Sequence, residues 1–186
     1  MSKLKNPAER SSMLGQNVAV RQVGTRTMVK SRPSYKREST PRQLEVQTKF
    51  MGAADWAKWK LTQPGQAEAY QSRTTSKMKS AYMIAVRDYL NTPEVKSIDV
   101  KKYRGAIGDL IRVHALDDFM VTKVEVEICD AAGAIIEKGE AIQSVDHNQF
   151  WIYSTTVANP LVTGTKVQVI AYDNPGNQGI LDVVLP

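Results

Sequence analysis

The stretch Val121 to Asp130, which reads VTKVEVEICD, decides the fold. Val124, Val126 and Ile128 alternate with charged residues, so that apolar and charged side chains point to opposite faces of one β-strand. Similar short segments follow at a spacing of roughly ten residues, separated by turn-forming residues. Six or seven strands of this kind predict an antiparallel β-sandwich over residues 98–186.

Helical signals precede the sandwich, in residues 40–97. Thr40 is a suitable N-cap and Pro41 suits the first helical position, so we expect a helix from there to about Leu61. Its predicted apolar face consists of Leu44, Phe50, Ala54, Ala57 and Leu61. Two shorter helices are predicted at about 67–77 and 80–90. The fold class is therefore α+β, with two or three helices before the sandwich.

Residues 1–39 form a basic arm that contains a predicted β-hairpin. Alternating segments at 17–23 and 26–31 flank Gly24-Thr25, and glycine at the first position of a two-residue tip suits a type II′ turn. A two-stranded hairpin is only marginally stable in water. We therefore expect the hairpin to dock on its own sandwich, on a neighbouring subunit or on a ligand.

The net charge of +6 is unevenly distributed along the chain. Residues 1–49 carry +8, residues 50–99 carry +2, and residues 100–186 carry −4. Such an asymmetry indicates which end of a chain meets anionic partners. The candidate contact residues are Arg21, Arg26, Lys30, Arg32, Lys36, Arg37 and Arg42.

Two functions fit this basic front. In the first, the arm of one copy docks on the acidic sandwich of the next, which gives a homo-oligomer that closes as a ring or grows as a filament. In the second, Arg26, Lys30 and Arg32 share one strand face and follow the phosphates of a nucleic acid. A solvated arm, or one packed on its own chain, is a third interpretation. We favour self-assembly, because the hairpin needs a docking partner.

The sequence lacks the arrangements typical of enzymes and cofactor sites. His114 and His147 are the only histidines and lie far from each other in the sequence, and Cys129 is the only cysteine, so neither a zinc site nor an intramolecular disulfide is predicted. Glycine-rich nucleotide-binding motifs are absent. We therefore predict a non-enzymatic protein with no catalytic residue, no cofactor and no metal.

Acidic residues at predicted turns leave calcium open as an alternative. They are Asp117, Asp118, Asp130 and Asp173. Carboxylates and carbonyls of neighbouring loops can share a calcium ion. Because no dense Asp-x-Asp motif accompanies them, solvated turn residues are the simpler interpretation.

No run of about 18 apolar residues is present, so a transmembrane helix is not predicted. The segment Met1 to Arg10 is basic but is not followed by an apolar stretch, which argues against a secretory signal. We expect a cytoplasmic protein, or a component of a virion-like or other assembly.

The segment Val167 to Asn177, VQVIAYDNPGN, resembles the last strand of bacterial immunoglobulin-like modules, where a strand ending in Ala-x-Asp runs into a turn ending in Gly-Asn. The segment Val124 to Gly133 resembles an earlier strand of the same modules with its Asp-x-x-Gly turn. The resemblance covers about residues 105–186 and implies an immunoglobulin-like sandwich. It implies no single function, because that fold carries adhesion, structural, virion and enzyme-appended modules.

The front half is similar to an arrangement in uncharacterised small proteins of bacteria and their phages. In that arrangement a basic Arg-Pro strand precedes a Thr-Pro-x-Gln helix, a Trp segment ending in Leu-Thr, and a Ser-Gly-Tyr helix start. The matching segments here are Val29 to Pro33, Thr40 to Gln43, Trp59 to Thr62 and Ser80 to Tyr82, with Ala81 in place of the glycine. The resemblance implies a structural, phage-related role.

Overall fold

The structure is a computed structural model that describes residues 18–23, 25–31 and 38–186. The chain divides into two compact units, residues 1–44 and 45–186. In the first unit, β1 (Val18–Val23) and β2 (Arg26–Ser31) pair antiparallel. These strands coincide with the predicted hairpin, whereas the tip residue Gly24 lies outside the described residues.

Three helices follow in the described part of the chain, and side-chain hydrogen bonds cap the start of the first. The helices are α1 (Pro41–Leu61), α2 (Gln66–Gln71) and α3 (Ala81–Leu90). Thr40 Oγ1 accepts a hydrogen bond from the Gln43 N–H, and Gln43 Oε1 accepts one from the Thr40 N–H, which is a reciprocal cap at the start of α1. None of the described helices has the length and apolar character needed to cross a membrane.

Helix α2 is shorter than the predicted 67–77. The hydroxyl of Ser72 donates to the carbonyl of Ala69 at 2.8 Å, and the hydroxyl of Thr74 donates to the carbonyl of Gln71 at 2.9 Å. Hydroxyls that bond to the backbone in this way compete with the helical hydrogen bonds. The helix ends at Gln71, so the predicted continuation to residue 77 is wrong.

Two antiparallel four-stranded sheets follow the helices. Their strands are β3 (Glu94–Asp99), β4 (Leu110–Leu116), β5 (Val121–Cys129), β6 (Ile135–Glu140), β7 (Ile142–Gln143), β8 (Phe150–Ser154), β9 (Lys166–Asp173) and β10 (Gln178–Val184). One sheet has the order β10-β9-β5-β6 and the other β3-β4-β8-β7. Helices followed by two antiparallel sheets confirm the predicted α+β class with a β-sandwich core.

The apolar faces of both sheets contribute to one core. On β5, Val124, Val126 and Ile128 are completely buried, as the alternation predicts. Trp151 on β8 lies in the same core. Complete burial of one aliphatic side chain stabilises a fold by roughly 1.5–3 kcal/mol. The burial of these apolar faces therefore explains why the two sheets pack against each other.

A second apolar cluster lies beside the helices. It consists of Ala53, Ala57, Tyr70, Ile84, Ala85, Val86 and Phe119. Phe119 comes from the turn between β4 and β5, so this cluster brings a turn of the sandwich to α2 and α3. The same turn carries Asp117, and the cluster therefore positions the carboxylates described below.

Candidate functional site

The predicted basic contact residues divide into those that the structure describes and those that it does not. Arg26 and Lys30 lie on β2, where every residue is exposed, and Arg42 is exposed in the first turn of α1. Arg21 lies on β1, opposite Met28 in the strand register. The remaining three, Arg32, Lys36 and Arg37, lie outside the described residues.

Helix α1 leaves large apolar side chains in solvent. Leu44, Val46, Phe50 and Met51 are each more than half exposed. The predicted apolar face therefore holds only in part, because Ala57 is buried while Leu44 and Phe50 are not. The helix packs through its small side chains, and its first three turns remain uncovered.

Three aspartates from separate elements meet inside the unit 45–186. Asp88 lies on α3, Asp117 in the turn between β4 and β5, and Asp173 at the end of β9. One carboxylate oxygen of each lies within 4.8 Å of those of the other two. Asp88 is 0% exposed and Asp173 is 3% exposed. We call this group the aspartate cluster.

The side chain of Asp88 is held by Tyr70. The Tyr70 hydroxyl donates to Asp88 Oδ2 at 2.5 Å and accepts a hydrogen bond from Asn174 Nδ2 at 2.7 Å. Burial raises the pKa of the Tyr70 hydroxyl, and the bond to Asp88 raises it further, so Tyr70 acts as the donor to Asp88. Asn174 follows Asp173 directly, so this chain of hydrogen bonds joins α3, α2 and the turn after β9.

The other two carboxylates organise their own turns. Asp117 Oδ2 accepts the N–H groups of Phe119 and Met120, each at 2.9 Å. Asp173 Oδ1 accepts the N–H groups of Gly176 and Asn177 at 2.8 and 2.6 Å. Side-chain acceptors of this kind are the reason that aspartate is common in tight turns.

Asn177 joins the turn after β9 to the end of α3. Its amide nitrogen Nδ2 lies 2.7 Å from Asp173 Oδ2, 3.2 Å from the carbonyl oxygen of Tyr89 and 3.0 Å from that of Asn91. The same amide therefore donates to the aspartate cluster and to the C-terminal end of α3. Gly176, with φ of +94°, supplies the left-handed conformation that the turn requires.

Two carboxylate oxygens of the aspartate cluster are buried without a hydrogen-bond partner among the described residues: Asp88 Oδ1 and Asp117 Oδ1. The pKa of Asp88 is raised to about 7, mainly by burial; the Tyr70 hydrogen bond lowers it, whereas the charges of Asp117 and Asp173 and a side-chain hydrogen bond with Asp117 raise it. Burial also raises the pKa of Asp173, although the hydrogen bonds from Asn177 oppose that shift. The cluster therefore favours a bound positive charge, either a proton or a cation.

The four acidic residues considered for calcium separate in the structure. Asp117 and Asp173 join the aspartate cluster. Asp118 instead forms a two-point ion pair with Arg87, at 2.6 and 3.0 Å. Asp130 Oδ1 accepts the N–H groups of its own turn, from Ala132 and Ala134.

Sequence reasoning missed Asp88. The available signal was a carboxylate between apolar residues of an amphipathic helix, because Val86 precedes it closely and Tyr89-Leu90 follows it. A charged residue in that position is buried only when it has partners.

Neither histidine is a member of the aspartate cluster. His114 on β4 stacks on Phe150 with ring centroids 4.7 Å apart. The guanidinium of Arg112 also lies over the Phe150 ring, 4.2 Å from its centre. His147 meets the edge of the same phenylalanine ring at 6.1 Å. Both histidines are thus aromatic packing partners on the outer side of β4 and β8.

No protein-family model matches the chain, and no curated protein matches its sequence. Among solved structures the chain is similar to CopC from Methylosinus trichosporium OB3b, with 13% identity and a TM-score of 0.34 over 50% of this chain and 91% of that one. A second similar structure is an engineered protein, with 19% identity and a TM-score of 0.29. A third is the catalytic module of the multi-modular glycogen-degrading pneumococcal virulence factor SpuA, with 14% identity and a TM-score of 0.28. Each of these two matches covers 42% of this chain and only 14% and 12% of the other chain, respectively. Similarities at this level carry no argument about family or function.

Proposed function

We propose that this is a non-enzymatic structural protein, of phage-related origin, that self-assembles through its N-terminal arm into a ring, a filament or a shell-associated layer. The observation that carries the proposal is the exposed first half of α1, which follows the arm directly in the sequence. Leu44, Val46, Phe50 and Met51 are all more than half exposed on three consecutive turns. Several large apolar side chains exposed together typically mark an interaction surface.

A second copy of the same chain is the partner that fits best. The arm and the start of α1 belong to the segment that carries +8, while residues 100–186 carry −4. A contact between opposite charges on two copies is heterologous, and such contacts build rings or filaments. Charge complementarity therefore supports a head-to-tail contact between copies.

The free sheet edges support the same proposal. Strands β6 and β7 are each at the edge of a four-stranded sheet, and their Ile135 and Ile142 are exposed. An edge strand presents unpaired backbone groups to which another strand can add. The β1–β2 ribbon has only two strands, so addition to an edge of a neighbour would stabilise it.

We also infer that the sandwich is immunoglobulin-like. Two four-stranded antiparallel sheets with alternating burial support this inference. The turn from Asp173 to Asn177, which belongs to the segment that resembles the last strand of such modules, supports it too. The fold would then serve as a rigid module that presents the arm and its free edges to neighbouring copies.

Light scattering coupled to size-exclusion chromatography tests the assembly, with full-length protein freed of nucleic acid. We expect discrete oligomers or filaments for the natural chain and smaller species for Val46→Ser combined with Phe50→Ser. Val145→Ser is the matched control, because Val145 is a fully exposed valine in a loop outside α1. A natural chain that stays monomeric at tens of micromolar would overturn the proposal.

Nucleic-acid binding is the alternative, and the exposure of Arg26 and Lys30 on one face of β2 favours it. Binding through phosphates weakens steeply as salt is raised, because each contact releases counterions. A gel-shift assay with DNA and RNA at two salt concentrations distinguishes the two functions. Under the alternative, Arg26→Gln combined with Lys30→Gln weakens binding, whereas Lys96→Gln combined with Lys166→Gln on the sandwich leaves it unchanged.

A further inference from the structure

The aspartate cluster carries more negative charge than its protein surroundings balance. Among the ion pairs of the described residues, none joins a lysine or arginine to Asp88, Asp117 or Asp173. Arg87 is next to Asp88 in the sequence, but its guanidinium binds Asp118. Buried charges are retained in proteins when they are paired or coordinate a metal.

The fully buried Asp88 points to a ligand. Its Oδ2 has a partner in the Tyr70 hydroxyl, whereas its Oδ1 has none within the described part of the chain. Asp117 repeats this pattern, with Oδ2 bonded to two backbone N–H groups and Oδ1 buried without a partner. These two oxygens can therefore be satisfied only by each other, through a shared proton, or by a bound cation, and an unmet hydrogen-bonding capacity in the protein interior is costly.

The geometry fits a calcium ion. Calcium binds oxygen ligands at 2.3–2.6 Å, so two ligands on opposite sides of the ion are about 4.8 Å apart. The three aspartate oxygens lie within that distance of one another. The ligand set contains only oxygen, which suits hard cations such as calcium and magnesium better than it suits zinc, whose protein sites usually include cysteine or histidine.

A surface cleft lies beside the aspartate cluster. Asp117 lines a surface cleft of about 710 Å³, together with Arg87, Asn91 and Asp118. The cleft can supply the water molecules that complete the six to eight ligands of calcium.

From these observations we propose that Asp88, Asp117 and Asp173 bind one calcium ion, which fastens α3 to two turns at one end of the sandwich. The turn of Asp117 also carries Phe119, and the turn of Asp173 also carries Asn174, the partner of Tyr70. The ion would therefore hold together the elements that surround Tyr70. This site does not depend on the assembly proposed above.

Terbium luminescence and calorimetry test the site in the full-length chain after removal of divalent ions with a chelator. Terbium replaces calcium at oxygen sites, and Tyr70, hydrogen-bonded to Asp88, is positioned to sensitise its emission. We expect emission that one equivalent of terbium saturates and that calcium displaces. Calorimetry with calcium chloride should give one site per chain.

Asp88→Asn and Asp117→Asn are the decisive variants. Both keep the size of the side chain and one carbonyl oxygen, so both should keep the hydrogen bonds that position them. Loss of an outer-sphere partner already weakens metal sites 10–100-fold, so loss of a direct ligand should weaken calcium binding at least about 100-fold. Asp118→Asn is the matched control, because Asp118 lines the same cleft but binds Arg87.

The possible results separate clearly. A large loss in Asp88→Asn and Asp117→Asn, with natural affinity in Asp118→Asn, would establish the site. No terbium emission and no heat with millimolar calcium in the natural chain would overturn the proposal. An equal loss in Asp118→Asn would overturn it too, since binding would then belong to the cleft. If one variant fails to fold by circular dichroism, the other decides.

Discussion

Phe119 and Tyr70 stack with their ring centroids 3.9 Å apart and their planes 16° from parallel. Phe119 belongs to the turn between β4 and β5, whereas Tyr70 belongs to α2. The Trp56 ring of α1 meets the Tyr70 ring edge-on, 6.5 Å away. The stack therefore anchors a turn of the sandwich among the helices, immediately beside Asp117.

Replacement of Phe119 by leucine should destabilise the protein. Phe119 is 6% exposed, and leucine keeps apolar contact but loses the stack on Tyr70. Aromatic pairs contribute about 0.5–1.5 kcal/mol beyond the area they bury, so we expect the free energy of unfolding to fall by about 1–2 kcal/mol. Urea unfolding followed by circular dichroism measures it. Phe150→Leu also loses a ring stack, on His114, but at a half-buried outer position, so it should cost less; an equal cost would contradict the role given to the buried stack on Tyr70.

In the chain stripped of divalent ions, stability should fall as the pH rises from about 4 to about 7. The pKa of Asp88 is raised to about 7 in the folded chain, by burial first and then by the neighbouring charges of Asp117 and Asp173. An unfolded aspartate has a pKa of about 3.9, so within this window the folded state binds more protons than the unfolded state. The stabilisation from the proton is complete below about pH 4 and is lost above about pH 7.

Thermal unfolding at several pH values checks this expectation. The natural chain should lose on the order of 5 °C in Tm between pH 5 and pH 7.5, relative to Asp88→Asn, which does not titrate. A difference between the two chains that does not change with pH would contradict a raised pKa at Asp88.

Gly179 and Gly52 should respond to alanine in opposite directions. A Cβ atom on Gly179 would lie 1.9 Å from the carbonyl oxygen of Pro93, where β10 passes the start of β3. Backbone must move to relieve that overlap, so Gly179→Ala should destabilise by about 1–3 kcal/mol. A Cβ atom on Gly52 would meet only the Tyr89 ring at 3.4 Å or more, inside a helix, so Gly52→Ala should stabilise by about 0.5–1 kcal/mol. The urea concentration at the unfolding midpoint measures both effects. A shift in the same direction for both variants, relative to the natural chain, would contradict this account.

The sandwich was predictable because the signal for a strand is local. Alternation along β5 shows which side chains face the core, and Val124, Val126 and Ile128 are indeed completely buried. The same reasoning was less successful on α1, since a periodic apolar face shows which side of a helix can be buried and not whether anything covers it. Phe50, exposed on that face, is the example.

Sequence patterns could not predict the aspartate cluster. Its members are separated by 29 and 56 residues, so only the tertiary fold brings them together. Asp117 and Asp173 were recognisable as turn residues, and Asp88 was not, because an aspartate in a helix is ordinarily taken as solvent-exposed. Burial changes its chemistry, and burial depends on α2, α3 and the sandwich together.

The bond from Asn177 to the Asn91 carbonyl spans 86 residues and has a consequence for biosynthesis. Domains generally fold as the ribosome delivers them, at about 5–20 residues per second. Helix α3 is synthesised early, yet its C-terminal end cannot receive this hydrogen bond until the nine described strands that precede Asn177 have been made. We therefore expect the C-terminal end of α3 to lack this contact for several seconds during synthesis, and slower translation of the sandwich would lengthen that interval.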